Sequence, residues 1–343
     1  MMRISIDAMG GDHGLAVTLP AVCEALQKHP ALHLVLVGDE LQIKEGLEAL
    51  SFTQWPRITV HHATQVVAMD EPPAVALRTK KDSSMRVAIN LVKEKEVQAC
   101  VSAGNTGALM ATARYVLKTL PGVDRPAIIA VLPTVDEDNM VRMLDLGANV
   151  DASSDQLFQF AVMGSILASY VDNRPNARVA LLNIGVEAIK GTGPIKETAE
   201  RLQGCDAINY IGYVEGDAIY EGVADVVVCD GFVGNVALKA SEGLSYLISR
   251  YLHNAFTKNI FTRFVGLLAQ PILRSFKKGV DPARYNGASF VGLQGIVIKS
   301  HGGADIKAYG HAIDEAVMEV KHDIPCRIRD EVAALLALSQ PQE

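Results

Sequence analysis

The sequence predicts an α/β fold, a mainly parallel, Rossmann-like sheet flanked by helices, and three observations carry that reading. Short β-branched runs alternate with longer amphipathic stretches almost throughout the 343 residues. The runs are apolar on both faces, as strands covered by helices on both sides are. Hydrophobic residues make up 49% of the chain and charged residues 21%, a balance that supports a substantial core and argues against disorder. No internal repeat, low-complexity tract or long Pro/Ser linker divides the sequence, so residues 1–343 are read as one domain.

Taken in order, the candidate strands are RISIDA (3–8), LHLVLVG (32–38), RITVHH (57–62), QACVSAG (98–104) and AIIAVLP (127–133). RMLDLG (142–147), RVALLNIG (178–185), AINYIGY (207–213) and DVVVCDG (225–231) follow. Helix-length patterns lie between most of them, for example NTGALMATARYVLKTL (105–120) and SSDQLFQFAVMGSILASYV (153–171).

Composition excludes several classes. A net charge of −7 disfavours general nucleic-acid binding, which needs a basic footprint. Cys23, Cys100, Cys205, Cys229 and Cys326 are far apart and form no CxxC, which fits reduced thiols rather than a disulfide framework or zinc site. Asp7 falls too early for a signal peptide, and no apolar run reaches the roughly 18 residues of a membrane span. These features lead us to expect a soluble, cytoplasmic protein without a metal site.

The strand ends share one style. Strand and turn read IDAMGGD, VSAGNTG, LDLGAN, LNIGVE, CDGFVGN and, near the C-terminus, KSHGGAD. In a parallel sheet these turns emerge together at the carboxyl edge, where open α/β folds bind ligands. Glycine permits close backbone approach, and the helix after each turn offers free N–H groups to an anion. Any one such turn is ordinary loop chemistry; six on one edge suggest a site. There is no GxxxxGK[ST], HExxH or GxSxG, and GTGPIK (191–196) is a poor dinucleotide fingerprint. What remains is rich in glycine and amides, with Lys190, Lys239, Lys299, His301 and Lys307 as scattered bases. Such a lining suits a small oxyanion, phosphate above all.

DAMGGDHG (7–14), SAGNTGA (102–108), DLGANVD (145–151), NIGVEAIKG (183–191), DGFVGNVALK (230–239) and YNGASFVGLQGIVIKSHGGAD (285–305) together resemble the bacterial phosphate acyltransferases of phospholipid synthesis. ALRTKKDSSM (76–85) belongs to the same ordered match, which covers residues 4 to about 320. The resemblance implies transfer of an acyl group from acyl-[acyl carrier protein] to inorganic phosphate, giving acyl phosphate and free carrier protein. It also implies a fold similar to phosphotransacetylases and isocitrate-type dehydrogenases, a homodimer, no organic cofactor, and reversible association with the inner face of the membrane. Phosphate already carries a second charge near neutral pH and a thiolate leaves readily, so such a reaction needs positioning and oxyanion stabilisation more than a catalytic triad. On this footing Lys190, Asn235 and His301 are the catalytic candidates. Gly10, Gly11, Ser102, Gly104, Asn105, Thr106, Gly107, Asn149, Asn183, Gly185 and Gly234 are expected to line the phosphate and substrate. His13 and His301 are read as proton carriers or as bonded structural histidines. Asp7, Asp12 and Asp145 are expected to brace loops or pair with bases, and Cys100 and Cys229 to be core residues.

From Gly243 to Val280 the chain has no Asp or Glu but holds Arg250, Lys258, Arg263, Arg274, Lys277 and Lys278. Phe256, Ile260, Phe264, Leu267 and Leu268 are spaced as one helix face, and Pro271 breaks or kinks it. Residues 243–280 are therefore expected to form a basic, amphipathic helical protrusion. Lys258, Ile260, Arg263, Phe264, Leu267 and Leu268 would contact a membrane interface or the acidic carrier protein; packing of the helices on each other or in a dimer is the competing reading. A short-chain phosphotransacetylase acting on acyl-CoA, a non-catalytic membrane scaffold and a nicotinamide dehydrogenase remain as alternatives.

Overall fold

The computed structural model describes residues 2–136, 139–280 and 285–338. Its first part comprises β1 (Met2–Asp7), α1 (Leu15–Lys28), β2 (Leu32–Gly38), α2 (Glu40–Ala49), β3 (Ile58–His62), α3 (Pro73–Thr79), α4 (Ser84–Lys93), β4 (Ala99–Ser102) and α5 (Thr106–Leu117). Next come β5 (Ala127–Pro133), β6 (Met140–Leu144), α6 (Ser154–Tyr170), β7 (Val179–Leu182), α7 (Gly193–Gln203), β8 (Tyr210–Val214) and β9 (Val226–Val228). The chain continues through α8 (Gly231–Thr257), α9 (Ile260–Leu268), α10 (Gln270–Val280), β10 (Ala288–Val291), β11 (Ile296–Lys299), α11 (Ile306–His322) and α12 (Ile324–Leu338).

All nine predicted strands form, and their alternation explains the layers. In β1, Ile4 and Ile6 point to the face covered by α1 and α11. Ser5 points the other way, where its hydroxyl donates to the Ala88 carbonyl of α4 at 2.8 Å. Helices start where a short polar side chain can take the first free N–H groups. Asp39, Ser83, Ser153, Asp230 and Asp305 all cap in this way, Ser153 with Gln156 as a full capping box.

The sheet has eleven strands in the order β3-β2-β1-β4-β11-β10-β5-β6-β9-β7-β8. Seven of its ten strand pairs are parallel. The other three, β11–β10, β10–β5 and β5–β6, are antiparallel and consecutive. This corrects the expected single parallel edge: β6 to β8 run opposite to β1 to β4. Twist restores the convergence. Seven steps separate β1 from β7, and at the usual 20–25° per step they accumulate roughly 140–175°, turning a reversed strand nearly back onto the direction of β1. The two carboxyl edges thus open toward the same side. Strand β10, absent from the sequence reading, and β11, of which that reading had only the strand end KSHGGAD, build the junction between the two halves.

The segment 243–280 also differs in detail from a single helix face. The helix carrying Phe256 ends at Thr257, and Asn259 caps α9 in a capping box with Thr262. Phe256 folds over Gly266, where an added Cβ would lie 3.2 Å from its ring. Pro271 sits in the first turn of α10, so the expected break is real. Within α8 only Gly231 and Gly234 are buried, and α9 buries nothing. Among the residues named from sequence, the Lys277 and Lys278 side chains lie outside the described set.

Candidate functional site

The turns after β1, β4 and β11 are locked into one wall by close backbone contact. A Cβ on Gly10 would stand 2.6 Å from the Asp7 carboxylate and 3.0 Å from the Gly104 nitrogen. Gly11, at φ +91°, lies against Ala103 and the Gly302 carbonyl, and the next residue, Asp12, donates its N–H to that carbonyl at 2.9 Å. The glycine pair is therefore there to let three strand ends meet.

Behind this wall is a buried charged cluster. Asp7 is 1% exposed and accepts from the Ser102 hydroxyl at 2.6 Å, while its other oxygen has no partner. Burial raises its pKa; Ser102, Ser84 and Lys299 pull it back down. Lys299, the last residue of β11, is 8% exposed and donates to the carbonyls of Ala103, at 3.2 Å, and Ser300. Burial pushes its pKa down to about 8; Asp12 and Asp7 oppose that fall, and Lys239 adds to it. Lys239 stands on α8, paired with Glu242 at 2.7 Å, and its effect on Lys299 places that helix of the second half within electrostatic range of the first. An arriving anion would be drawn to the Lys299 ammonium.

The expected phosphate residues divide by what their donors already do. Ser102 gives its one proton to Asp7 and accepts from the Gly104 N–H. Asn105 caps Ala108 through Oδ1, and its amide donates to the Met69 and Glu71 carbonyls. Those side chains hold the wall together. Because Asn105 occupies only the Ala108 N–H, the backbone N–H groups of Thr106 and Gly107 stay open at the α5 N-terminus. His301 accepts the Gly303 N–H on Nδ1, which leaves Nε2 to carry the proton at the exposed tip of the turn. His13 is exposed on the β1 turn.

The second wall follows β6, β9 and β7, neighbours in the sheet. Asp145 accepts N–H groups from Ile128, Gly147, Ala148 and Asn149 and the amide of Asn149, against burial that raises its pKa. Asn149 donates its other amide hydrogen to Pro126. Gly234 is indispensable sterically: a Cβ would lie 1.9 Å from the Asp145 carbonyl oxygen. Unlike α5, α8 presents a closed N-terminus, since Asp230 takes the Phe232 and Val233 N–H groups and Asn149 takes that of Gly231.

Asn235 and Lys190 stand apart. Asn235 is exposed beside Gly147, with no side-chain hydrogen bond among the described residues. Lys190 is exposed without an ion pair among those residues, its stem lying over Gly185, where a Cβ would be 3.0 Å from Lys190 Cγ. Asn183 donates to the Gly185 carbonyl, and its buried Oδ1 has no partner. Sequence reasoning named Lys299 and Lys239 only among five scattered bases and Asp7 only as a loop brace or partner of a base, and ranked none of them within the site. The signal that could have found Lys299 is a lysine closing an apolar strand, IVIK, where burial is otherwise rare for that residue. Lys258, Ile260, Arg263, Phe264, Leu267 and Leu268 are exposed on the α8–α9 arm and take no part in either wall.

Residues 2–327 match the family described as fatty acid synthesis protein. A phosphate acyltransferase of Alkalilimnicola ehrlichii is 57% identical over 339 residues, covering 99% of this chain and 98% of that one. One from Legionella pneumophila is 56% identical over 331 residues, 96% of each chain. Among solved structures, a phosphotransacetylase from Streptococcus pyogenes superposes with a TM-score of 0.63 at 16% identity, over 93% of this chain and 94% of that one. A branched-chain phosphotransacylase from Enterococcus faecalis gives 0.57 at 13% identity, over 93% and 100%. At that identity the two structures speak to the fold, which is of the phosphotransacetylase type.

Proposed function

The chain belongs to the family of fatty acid synthesis proteins, and from that premise we infer that it is a phosphate acyltransferase, moving an acyl group from acyl-[acyl carrier protein] to inorganic phosphate. The observation that carries the reading is the buried Lys299 ammonium behind open glycine turns, with Lys239 near it and the free Lys190 and Asn235 on the opposite wall. This is an anion site with donors on two sides.

The chemistry asks for little more. A phosphate oxygen attacks the thioester carbonyl, a C–O bond forms and the C–S bond breaks. The proton lost by hydrogen phosphate ends on the departing thiolate, so no redox partner is needed. Phosphate rests on the Thr106 and Gly107 N–H groups and the Lys299 side of the cleft, while Lys190 and Asn235 meet the developing oxyanion. His301, with Nε2 protonated, can relay the proton. Gly10, Gly11, Gly104, Gly185 and Gly234 keep the walls close, and Ser102, Asn105, Asn149 and Asn183 brace them.

In this reading the chain acts as one catalytic unit, a homodimer on the cytoplasmic side of the membrane. Its α8–α9 arm rests reversibly on lipid, supported by Ile260, Phe264, Leu267 and Leu268, which are 88%, 59%, 66% and 67% exposed. Among the described residues no helix is long and apolar enough to cross a bilayer. The test is phosphate-dependent thiol release from palmitoyl-carrier protein, with the product trapped by hydroxylamine. Release without phosphate, or a preference for acetyl-CoA, would count against this substrate.

A further inference from the structure

Where does the carrier protein sit while its thioester reaches the cleft? The segment ALRTKKDSSM and its neighbours supply a surface that the site itself does not use. Arg78, Lys80, Lys81 and Arg86 come from the α3–α4 connection and its flanks, and Arg114 and the C-cap residue Lys118 from α5, which packs against both helices. Arg78, Lys81, Arg114 and Lys118 are exposed. Among the described residues only Lys80 of these six has a carboxylate partner, Glu71 at 3.9 Å. The other nearby acid, Asp82, accepts the N–H and hydroxyl of Thr64 instead.

Two of the cations converge. The Arg86 guanidinium and the Lys118 ammonium each lie 5.0 Å from the centre of the Tyr115 ring, which is 56% exposed. Two like charges gathered on one ring with no acid between them are an unneutralised pair. In a chain of net charge −7 this patch is a local reversal of sign.

The patch is joined to the phosphate wall by the same helices. Pro73, at the start of α3, would lie 2.8 Å from a Cβ on Gly107, and Met85, in α4, 2.6 Å from one on Gly104. All three helices therefore begin at the cleft and carry cations away from it. We propose that the acidic acyl carrier protein docks on this α3–α4–α5 surface and delivers its thioester over the α5 N-terminus. The inference rests on the carrier-dependent reading given above. Charge complementarity selects this occupant. A lipid face needs large apolar side chains, which α9 has; here the exposed tyrosine ring is occupied by its two cations.

Direct binding tests the surface separately from turnover. Fluorescence anisotropy of labelled palmitoyl-carrier protein is followed with the full chain, at low and high salt. The triple variant Arg78→Glu/Lys81→Glu/Arg114→Glu is expected to weaken binding about tenfold or more and to flatten its salt dependence. Lys321→Glu on α11 and Phe264→Glu on α9 are expected to bind as wild type, with melting temperatures unchanged in all. Equal binding by the triple variant overturns the proposal, as does loss of binding in Phe264→Glu alone, or loss of anionic-vesicle flotation in the triple variant with carrier binding intact. Thiol release is read separately: carrier bound at the patch without phosphate-dependent release would fail the catalytic reading and leave the docking surface standing.

Discussion

At the scale of single residues, the lysines separate by burial. Lys190 is exposed, whereas Lys299 is held charged against its surroundings. Its pKa of about 8, against an ordinary 10.5, costs the folded state on the order of 3 kcal/mol while the group is charged. The sign follows from linkage. Between about 8 and 10.5 the unfolded chain binds a proton that the folded chain has lost, so this group makes stability rise with pH across that window, and its full cost is present below it. Lys299→Met should therefore leave the melting temperature at pH 7 equal to or above wild type while lowering turnover about tenfold or more. A wild-type rate in that variant would remove Lys299 from the site. In wild type, kcat/KM for phosphate should fall above about pH 8 as the ammonium is lost, and Lys299→Arg should abolish that limb. Sequence could name Lys299 among five bases but could not rank it, because burial is a property of the sheet. The same holds for Ser102, Asn105 and Asn149, whose residue types suit a phosphate cradle while their hydrogen bonds serve the loops.

Among the elements, the arm and helix α11 show where pattern is sufficient and where it is not. The spacing of Phe256, Ile260, Phe264, Leu267 and Leu268 located an amphipathic face, but Asn259 and Thr262 divide it, since a capping box satisfies N–H groups that a continuous helix would use internally. The exposed face survives that break. Phe264→Glu should reduce flotation with anionic vesicles while leaving thiol release from soluble carrier protein near wild type; unchanged flotation would deny α9 a lipid role. Strand β10 escaped notice, and β11 was seen only at its KSHGGAD end, because each has four residues and their short connection carries no strong hairpin signal. Helix α11 hides a different feature. Glu319 is 2% exposed, and its Oε1 and the Ser289 hydroxyl both lack hydrogen-bond partners. Burial, aided by Glu315, pushes its pKa up to about 8 from 4.5. A raised carboxyl pKa means the folded chain keeps a proton the unfolded chain releases, so its contribution falls as pH rises from about 4.5 to 8. Glu319→Gln should thus raise the melting temperature above pH 8 and change it little below pH 5. A gain of equal size at both pH values would contradict that assignment.

For the whole molecule, the question is what holds two oppositely directed half-sheets at the angle that makes a cleft. The alternation of β and α was legible from end to end, yet the reversal at β10–β5–β6 was not, because strand direction depends on connections that local pattern does not encode. Arg142 marks the joint. It lies on β6, is 2% exposed, and donates to Asp172 at 2.7 Å and to Glu315 of α11 at 2.8 Å. Helix α11 packs on β11, β4 and β1, so this one guanidinium ties the second half of the sheet to the helix layer of the first. Burial alone would disfavour its charge, but the two carboxylates hold it ionised. Removing it strands Glu315 and Asp172, and Arg142→Met should destabilise the fold by about 3–5 kcal/mol in denaturant unfolding. Through Glu315 of α11, Arg142 links the half that carries Lys299 to the half that carries Lys190 and Asn235. Its loss should therefore raise KM for phosphate under conditions where the variant is still folded. A destabilised Arg142→Met with an unaltered KM would mean that the cleft angle is set by the sheet twist alone, with the buried ion cluster contributing only to stability.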